Sequence, residues 1–167
     1  MVNNMREQLV KAGYAQNSRP NMQKKGQQFD FDNFDVVTEA EKAIKGLQHK
    51  DRYDNIKIDV TTSQIRKFLT AVNVVRNKVD LYKAKNKGAE ALSKELTAEI
   101  KFLKVNLLYQ AGRTDAVKQF MTVSKLDIII DGIGDSLARF VKFTKYVEAL
   151  VASVSYTHLT LPTNSRV

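Results

Sequence analysis

Hydrophobic residues recur at steps of three and four along most of the chain between residues 36 and 151, which is the spacing of one buried face on an α-helix. The first helix is predicted from Val36 to Gln48, and Thr38 and Glu41 are spaced as a capping box near its start. A second helix opens at the hydroxyl residues 61–63, any of which can act as its N-cap, and it ends in a basic loop.

A third helix is predicted from about Ala91 to Gln110, and its two halves differ in pattern. The first half is amphipathic, whereas the residues from Phe102 to Tyr109 are apolar on almost every side. A helix that is hydrophobic all round is typical of a protein interior. We therefore expect the second half of this helix to be the central and most buried part of the fold.

Two further helices complete the pattern. Thr114 can cap a fourth helix, which continues through Ile130 until Gly132 and Gly134 break it. The last helix is capped by residue 135 or 136 and stays amphipathic as far as Val151. Because the connector before the second helix has too few apolar residues to indicate a strand, the sequence predicts an all-α fold, a single compact bundle of about five helices.

Residues 34–152 form the predicted bundle, and a polar arm precedes it. Residues 1–33 are rich in Asn, Gln and Lys and cannot bury enough apolar surface to offset the entropy lost on ordering, so we expect a flexible N-terminal arm. Near its end, Phe29, Phe31 and Phe34 alternate with aspartates. These aromatic residues form either a short extended segment or an anchor onto the bundle.

Residues 153–167 do not continue the pattern of the last helix. Their sequence resembles the peptide that one reading frame of a transposon-type sequencing-library adapter encodes, although a natural disordered C-terminus is the alternative. We interpret this segment as a non-native tail, as with other fusion scars, and exclude it from the fold. We expect its removal to change stability little.

The net charge of the chain indicates what kind of partner it binds. The chain has 27 Lys and Arg residues against 18 Asp and Glu, a formal charge of +9, which favours a polyanionic partner. Abundant surface lysine without a function is the simpler alternative. With no run of 18 apolar residues, no signal-peptide pattern and no cysteine, the sequence predicts a cytoplasmic protein without a membrane partner.

Catalytic chemistry has little basis in this sequence. One histidine within the predicted bundle, His49, and the absence of cysteine exclude the usual zinc sites and nucleophilic triads. Asp127, Asp131 and Asp135 have a spacing that could gather carboxylates around Mg²⁺ on a continuous helix, but glycines interrupt it. We therefore predict a protein that is not an enzyme, with no cofactor and no metal.

Positive side chains instead recur along the predicted helices, often three or four residues apart, and such stripes can follow a sugar-phosphate backbone. The predicted RNA-binding residues are Arg66, Lys67, Arg76, Lys78, Lys101, Lys104, Arg113, Lys118, Arg139, Lys142 and Lys145. Tyr109 and Tyr146 are candidates for base stacking, although packing in the core is the favoured interpretation. Backbone contacts without base reading predict binding that is independent of sequence.

Two sequence blocks carry a resemblance to a known family. The helix start Thr61-Thr62-Ser63-Gln64-Ile65-Arg66-Lys67 and the later block Tyr109-Gln110-Ala111-Gly112-Arg113 resemble the small subunit of type III-A CRISPR (Csm) effector complexes. Similar segments at 101–104, 116–118 and 140–152 keep the family's order and spacing. The family's short aromatic and Gly-Lys ending after residue 152 is replaced here, and the arm before residue 34 is longer than the family needs.

The resemblance implies a role in antiviral defence. Several copies of such a subunit associate head to tail in an inner filament of a ribonucleoprotein, beside other Csm subunits. They hold the duplex of guide RNA and single-stranded target RNA through its phosphates, while neighbouring subunits cleave the target. Two alternatives to this role remain, a stand-alone basic helical nucleic-acid-binding protein and a structural interaction module for an acidic protein partner.

Overall fold

Six α-helices and one very short hairpin make up residues 29–160, the part of the chain that the computed structural model describes. The helices are α1 (Val36–Leu47), α2 (Thr62–Lys85), α3 (Lys94–Arg113), α4 (Asp115–Ser124), α5 (Leu126–Ile133) and α6 (Leu137–Thr160). Strands β1 (His49–Lys50) and β2 (Ile56–Lys57) pair antiparallel between α1 and α2. The all-α prediction is confirmed, although these residues hold six helices instead of five and a hairpin that the sequence pattern did not indicate.

The helices pack around one hydrophobic core. Helix α6 contacts α1, α2 and α5, and α3 contacts α2, α4 and α5, so these two helices connect the rest of the fold. The largest fully buried side chains are aromatic and branched aliphatic, including Phe68, Phe120, Phe140 and Phe143. All six helices therefore contribute side chains to a single core.

The N-caps of the first two helices were predicted with different success. The Thr61 hydroxyl accepts a hydrogen bond from the backbone N–H of Gln64, and the side-chain oxygen of Gln64 accepts one from the backbone N–H of Thr61, so one of the three predicted capping hydroxyls forms a complete box. The predicted box of Thr38 and Glu41 is wrong. Asp35 caps α1 instead, because its carboxylate accepts the first free backbone N–H groups and the Thr38 hydroxyl.

A left-handed residue divides the predicted fourth helix into α4 and α5. Lys125 has φ 54° and ψ 27°, and its backbone N–H returns to carbonyl groups of α4. The buried residues of α4 and of α5 would lie on nearly opposite sides of one straight helix at 100° per residue. The turn at Lys125 brings both stripes to the core. The predicted break comes later than expected, at Gly134, and Gly132 lies within α5.

The expectation that the second half of α3 is the most buried helix is wrong. Its buried stripe is Leu96, Ile100, Leu103, Leu107 and Ala111, whereas the opposite face is open to solvent. On that face the exposed fractions are 60% for Phe102, 52% for Val105, 46% for Leu108 and 66% for Tyr109. Only one face of α3 contacts its neighbours α2, α4 and α5, and α6 is the helix with the broadest buried surface.

The aromatic residues before α1 anchor the chain onto the bundle. Phe31 and Phe34 are buried, and Phe29 contacts both rings edge to face. A Cβ on Gly132 would lie 3.0 Å from the ring of Phe31 and 3.2 Å from the Cβ of Phe29, so a larger residue here would require these aromatic side chains to shift by a few tenths of an ångström. The core therefore begins before residue 34, the predicted boundary. The rest of the predicted arm, residues 1–28, lies outside the described residues.

Helix α6 continues eight residues beyond the predicted boundary at Ala152. Val154 is fully buried, four residues after Leu150 and on the same helix face, and the imidazole Nε2 of His158 lies 3.2 Å from the carbonyl oxygen of Val60. The expectation that the fold ends at Ala152 is wrong, since Val154 extends the apolar stripe. The adapter origin of residues 153–167 stays a prediction, and 161–167 lie outside the described residues.

A candidate nucleic-acid interface

The α2–α3 pair is the scaffold for most of the predicted cationic surface. The ammonium group of Lys78, in the second half of α2, lies 2.7 Å from the carboxylate of Glu99, near the start of α3, as expected for two antiparallel helices. The first turn of α2 consequently lies at the same end of the pair as the last turn of α3. Arg66 and Lys67 are thereby brought to the end of the scaffold that carries Arg113.

Several of the predicted RNA-binding side chains remain open to solvent. Within residues 29–160, the charged groups of five of them have no intramolecular ion pair, hydrogen bond or ring contact, and these residues are Arg66, Lys67, Lys101, Lys118 and Lys145. Lys145 is exposed on α6, one turn before the exposed Glu148, and Lys118 is exposed on α4. These positions leave unpaired positive charge on α2, α3, α4 and α6.

Three predicted cations have carboxylate partners on another helix. Arg76 pairs with Glu148 of α6 and Lys78 with Glu99 of α3, while Lys104 pairs with Asp131 of α5. These pairs lie largely at the surface, where an ion pair contributes little to stability because water screens it. They join helices, and they also lower the local positive charge at those three positions.

Arg139 and Lys142 serve the fold more than the surface. The ammonium group of Lys142 donates to the carbonyl oxygen of Phe31, and the Arg139 guanidinium donates to the carbonyl oxygen of Gly132 while lying 5.4 Å from the ring centre of Phe31. The predicted stripe of Arg139, Lys142 and Lys145 is therefore not a single surface. Two of its members hold the N-terminal anchor, and Lys145 lies on another side of α6.

The two tyrosines proposed for base stacking have different positions. Tyr146 is buried, donates a hydrogen bond from its hydroxyl to the carbonyl oxygen of Ser124 at 3.0 Å, and has a phenol pKa raised well above its ordinary value by burial. It packs in the core, as the favoured interpretation had it. Tyr109 is exposed instead, and the Arg113 guanidinium lies 5.7 Å from its ring centre.

Phe102 was missed as a surface residue because apolar character was taken to mean burial. A signal was present in the sequence. The block from Lys101 to Arg113 has apolar residues on more than one side of the helix, although a helix in a small bundle usually buries only one side. The same block contains cations and no acidic residue. That combination indicates an exposed apolar face on a basic surface.

The described residues offer no group of three or more potential metal ligands. Asp131 is paired with Lys104, and Asp135 lies beyond Gly134, whose backbone (φ 59°) ends the helix that could have aligned the three aspartates. Between residues 29 and 160 there is also no helix long and apolar enough to cross a membrane.

Fold and surface together define a small, cationic all-helical protein. Comparison with known proteins makes the class specific, because the family model Csm2 Type III-A matches residues 31–157. The chain belongs to the Csm2 family, the small subunit of the type III-A CRISPR complex. This confirms the resemblance carried by the two sequence blocks, and the match extends five residues beyond Ala152.

Curated relatives agree with the family assignment, and each carries the name CRISPR system Cms protein Csm2. The chain is 34% identical over 122 residues to a protein of Mycobacterium tuberculosis strain CDC 1551 / Oshkosh, covering 73% of this chain and 90% of that protein. It is 35% identical over 116 residues to one from Streptococcus thermophilus, covering 70% and 85%. For Enterococcus italicus the identity is 29% over 136 residues, covering 80% and 92%.

Proposed function

We propose that this protein is a non-catalytic RNA-binding subunit that contacts the phosphates of the guide–target RNA duplex in an inner filament of the type III-A complex. Copies associate head to tail beside other Csm subunits in the cytoplasm and support antiviral defence. The observation that carries the proposal is the set of predicted RNA-binding cations that are exposed and whose charged groups have no intramolecular contact, at Arg66, Lys67, Lys101, Lys118 and Lys145.

Phosphate contact explains this surface better than sequence reading does. Cations on long side chains neutralise a sugar-phosphate backbone without regard to the bases, and each neutralised phosphate releases counterions. Arg66 and Lys67 begin a capped helix and project from its open side, so that their position is defined by the fold. Binding should therefore be similar for unrelated RNA sequences and should weaken steeply with salt.

The test compares two matched double variants by filter binding over a salt series. Replacing Arg66 and Lys67 by alanine should reduce the slope of log affinity against log salt by about 1.4 for single-stranded RNA, if each contacts one phosphate. Replacing Lys42 and Lys45 of α1 by alanine removes the same charge from two lysines outside the predicted RNA-binding set and should leave the slope unchanged. Equal losses in both variants, or a strong sequence preference, would contradict the proposal.

The non-catalytic part of the proposal has its own test. Purified protein with Mg²⁺ or Mn²⁺ should leave RNA intact, because the carboxylates of Asp127 and Asp131 are not gathered with a third ligand in the described residues. Cleavage that disappears when either aspartate is replaced by asparagine would overturn this part while leaving RNA binding in place.

A further inference from the structure

Resting on the proposed RNA binding, we infer that the open face of α3 is a stacking platform for unpaired RNA bases, built from Phe102 and Tyr109 and flanked by Lys101 and Arg113. The inference adds a second mode of contact to the phosphate contacts proposed above. It assigns a ligand to an apolar face that the fold leaves uncovered.

The two rings have the placement that a platform requires. Phe102 and Tyr109 are seven residues apart, about two helical turns, so they lie on the same side of α3 at a separation of roughly 10 Å. Both are more than half exposed, at 60% and 66%. Aromatic side chains with one open face bind successive bases by stacking, and this contact tolerates any base because every base has a π-face.

Arg113 strengthens the assignment of a nucleic-acid ligand. Its guanidinium lies 5.7 Å from the ring centre of Tyr109, one helical turn away. A guanidinium beside an aromatic ring can stack on a base and pair with its phosphate at once, which an ammonium group cannot do. Stabilising the C-terminal end of the helix dipole explains a basic residue here, but it does not explain the exposed ring beside it.

Charge decides between RNA and a protein as the occupant of this face. No acidic residue occurs between Glu99 and Asp115, and Lys101 is exposed without an ion pair in the described part of the chain. An apolar surface on a neighbouring subunit would bury these cations with no compensation, at a desolvation cost. A polynucleotide offers both parts of the complement, bases for the rings and phosphates for the cations.

The ligand should be unpaired RNA because the rings need free base faces. In a duplex the bases are stacked on each other and unavailable, whereas bases in loops, ends and single strands can be turned out onto aromatic side chains. The proposed phosphate contacts of the α2 cations do not depend on whether the RNA bases are paired. Base stacking on α3 and phosphate contact on α2 should therefore be separable by substitution.

The experiment uses fluorescence anisotropy with two probes of equal length and charge. One is a single-stranded uridine oligomer, and the other is an abasic ribose-phosphate oligomer. The full-length protein should bind the uridine probe more tightly, by on the order of tenfold per stacked base. Replacing Phe102 and Tyr109 together by leucine keeps apolar bulk and helix propensity but removes the rings, and it should bring the affinity ratio close to one.

Two controls separate stacking from charge and from folding. Tyr53→Leu removes a ring that is 84% exposed on the β1–β2 hairpin, and it should leave the ratio unchanged. Lys67→Ala should weaken both probes by the same factor, since it removes only a phosphate contact. Circular dichroism confirms that each variant keeps its helices.

Each result either supports or overturns the stacking platform. A ratio of one for the unaltered protein, with both probes bound, overturns stacking and leaves the proposed phosphate binding intact. Failure to bind either probe overturns both. If the double leucine variant keeps the ratio but changes the molar mass measured by light scattering, the α3 face is a protein interface and the stacking platform is wrong.

Discussion

Val154 offers a direct test of whether the last turns of α6 belong to the fold. Its side chain is fully buried, although it lies beyond the boundary that the sequence pattern indicated. Val154→Ala removes two buried methyl groups, which at ~0.8 kcal/mol each corresponds to a transfer free energy of about 1.6 kcal/mol. A residual cavity adds to this loss, and the better helix propensity of alanine subtracts up to ~0.7 kcal/mol.

The expected net destabilisation is therefore about 1.5 kcal/mol, which for a chain of this size lowers the melting temperature by roughly 3–6 °C. Val74→Ala on α2 is the matched control, because Val74 is 52% exposed and its smaller transfer loss is offset by the gain in helix propensity. Thermal unfolding followed by circular dichroism at 222 nm measures both. Equal melting temperatures for the two variants would refute the assignment of Val154 to the core.

Three further outcomes follow from the contacts described. Leu103→Ala should lower the free energy of unfolding by about 2–5 kcal/mol, whereas Leu108→Ala on the open side of α3 should change it by less than ~1 kcal/mol, as measured by urea denaturation. Lys142→Met removes the hydrogen bond to the carbonyl oxygen of Phe31 and should speed hydrogen exchange in the anchor, but not in α3. Hydrogen bonding, chiefly from the Lys57 side chain, holds the pKa of Asp51 below its ordinary value. The contribution of the Asp51 carboxylate to hairpin stability should be complete above the unfolded pKa of about 3.9 and should be lost as pH falls through the lower folded pKa. Amide chemical shifts of the hairpin measure this loss as a function of pH. The Asp51→Asn variant should not show the pH dependence.

The helix pattern of this protein could be predicted because its apolar spacing is local information. The buried stripe of α2 and the capping box at Thr61 each depend on residues three or four positions apart in the sequence. The break at Lys125 could not be predicted in that way, since lysine gives no local signal for a left-handed conformation. The left-handed conformation of Lys125 is required only because the apolar stripes of α4 and α5 must both face the same core.

The candidate interface was predicted in part for a similar reason. Sequence identifies every cation, and the exposed ones on α2 are where a helical pattern places them. It does not identify which cations have partners, because Arg76 and Glu148 are 72 residues apart in sequence and meet only through packing. The exposure of Phe102 depends equally on how many neighbours surround α3, which no local pattern contains.

The left-handed turn between α4 and α5 has a consequence for the sequence variation that this region can tolerate. The residue at position 125 needs only a positive φ, which glycine or asparagine adopts more readily than lysine. An inserted or deleted residue within α4 or α5, by contrast, would rotate one apolar stripe by about 100° relative to the other. Homologous chains should therefore differ in the identity of this residue while keeping the number of residues between Phe120 and Ile129 constant.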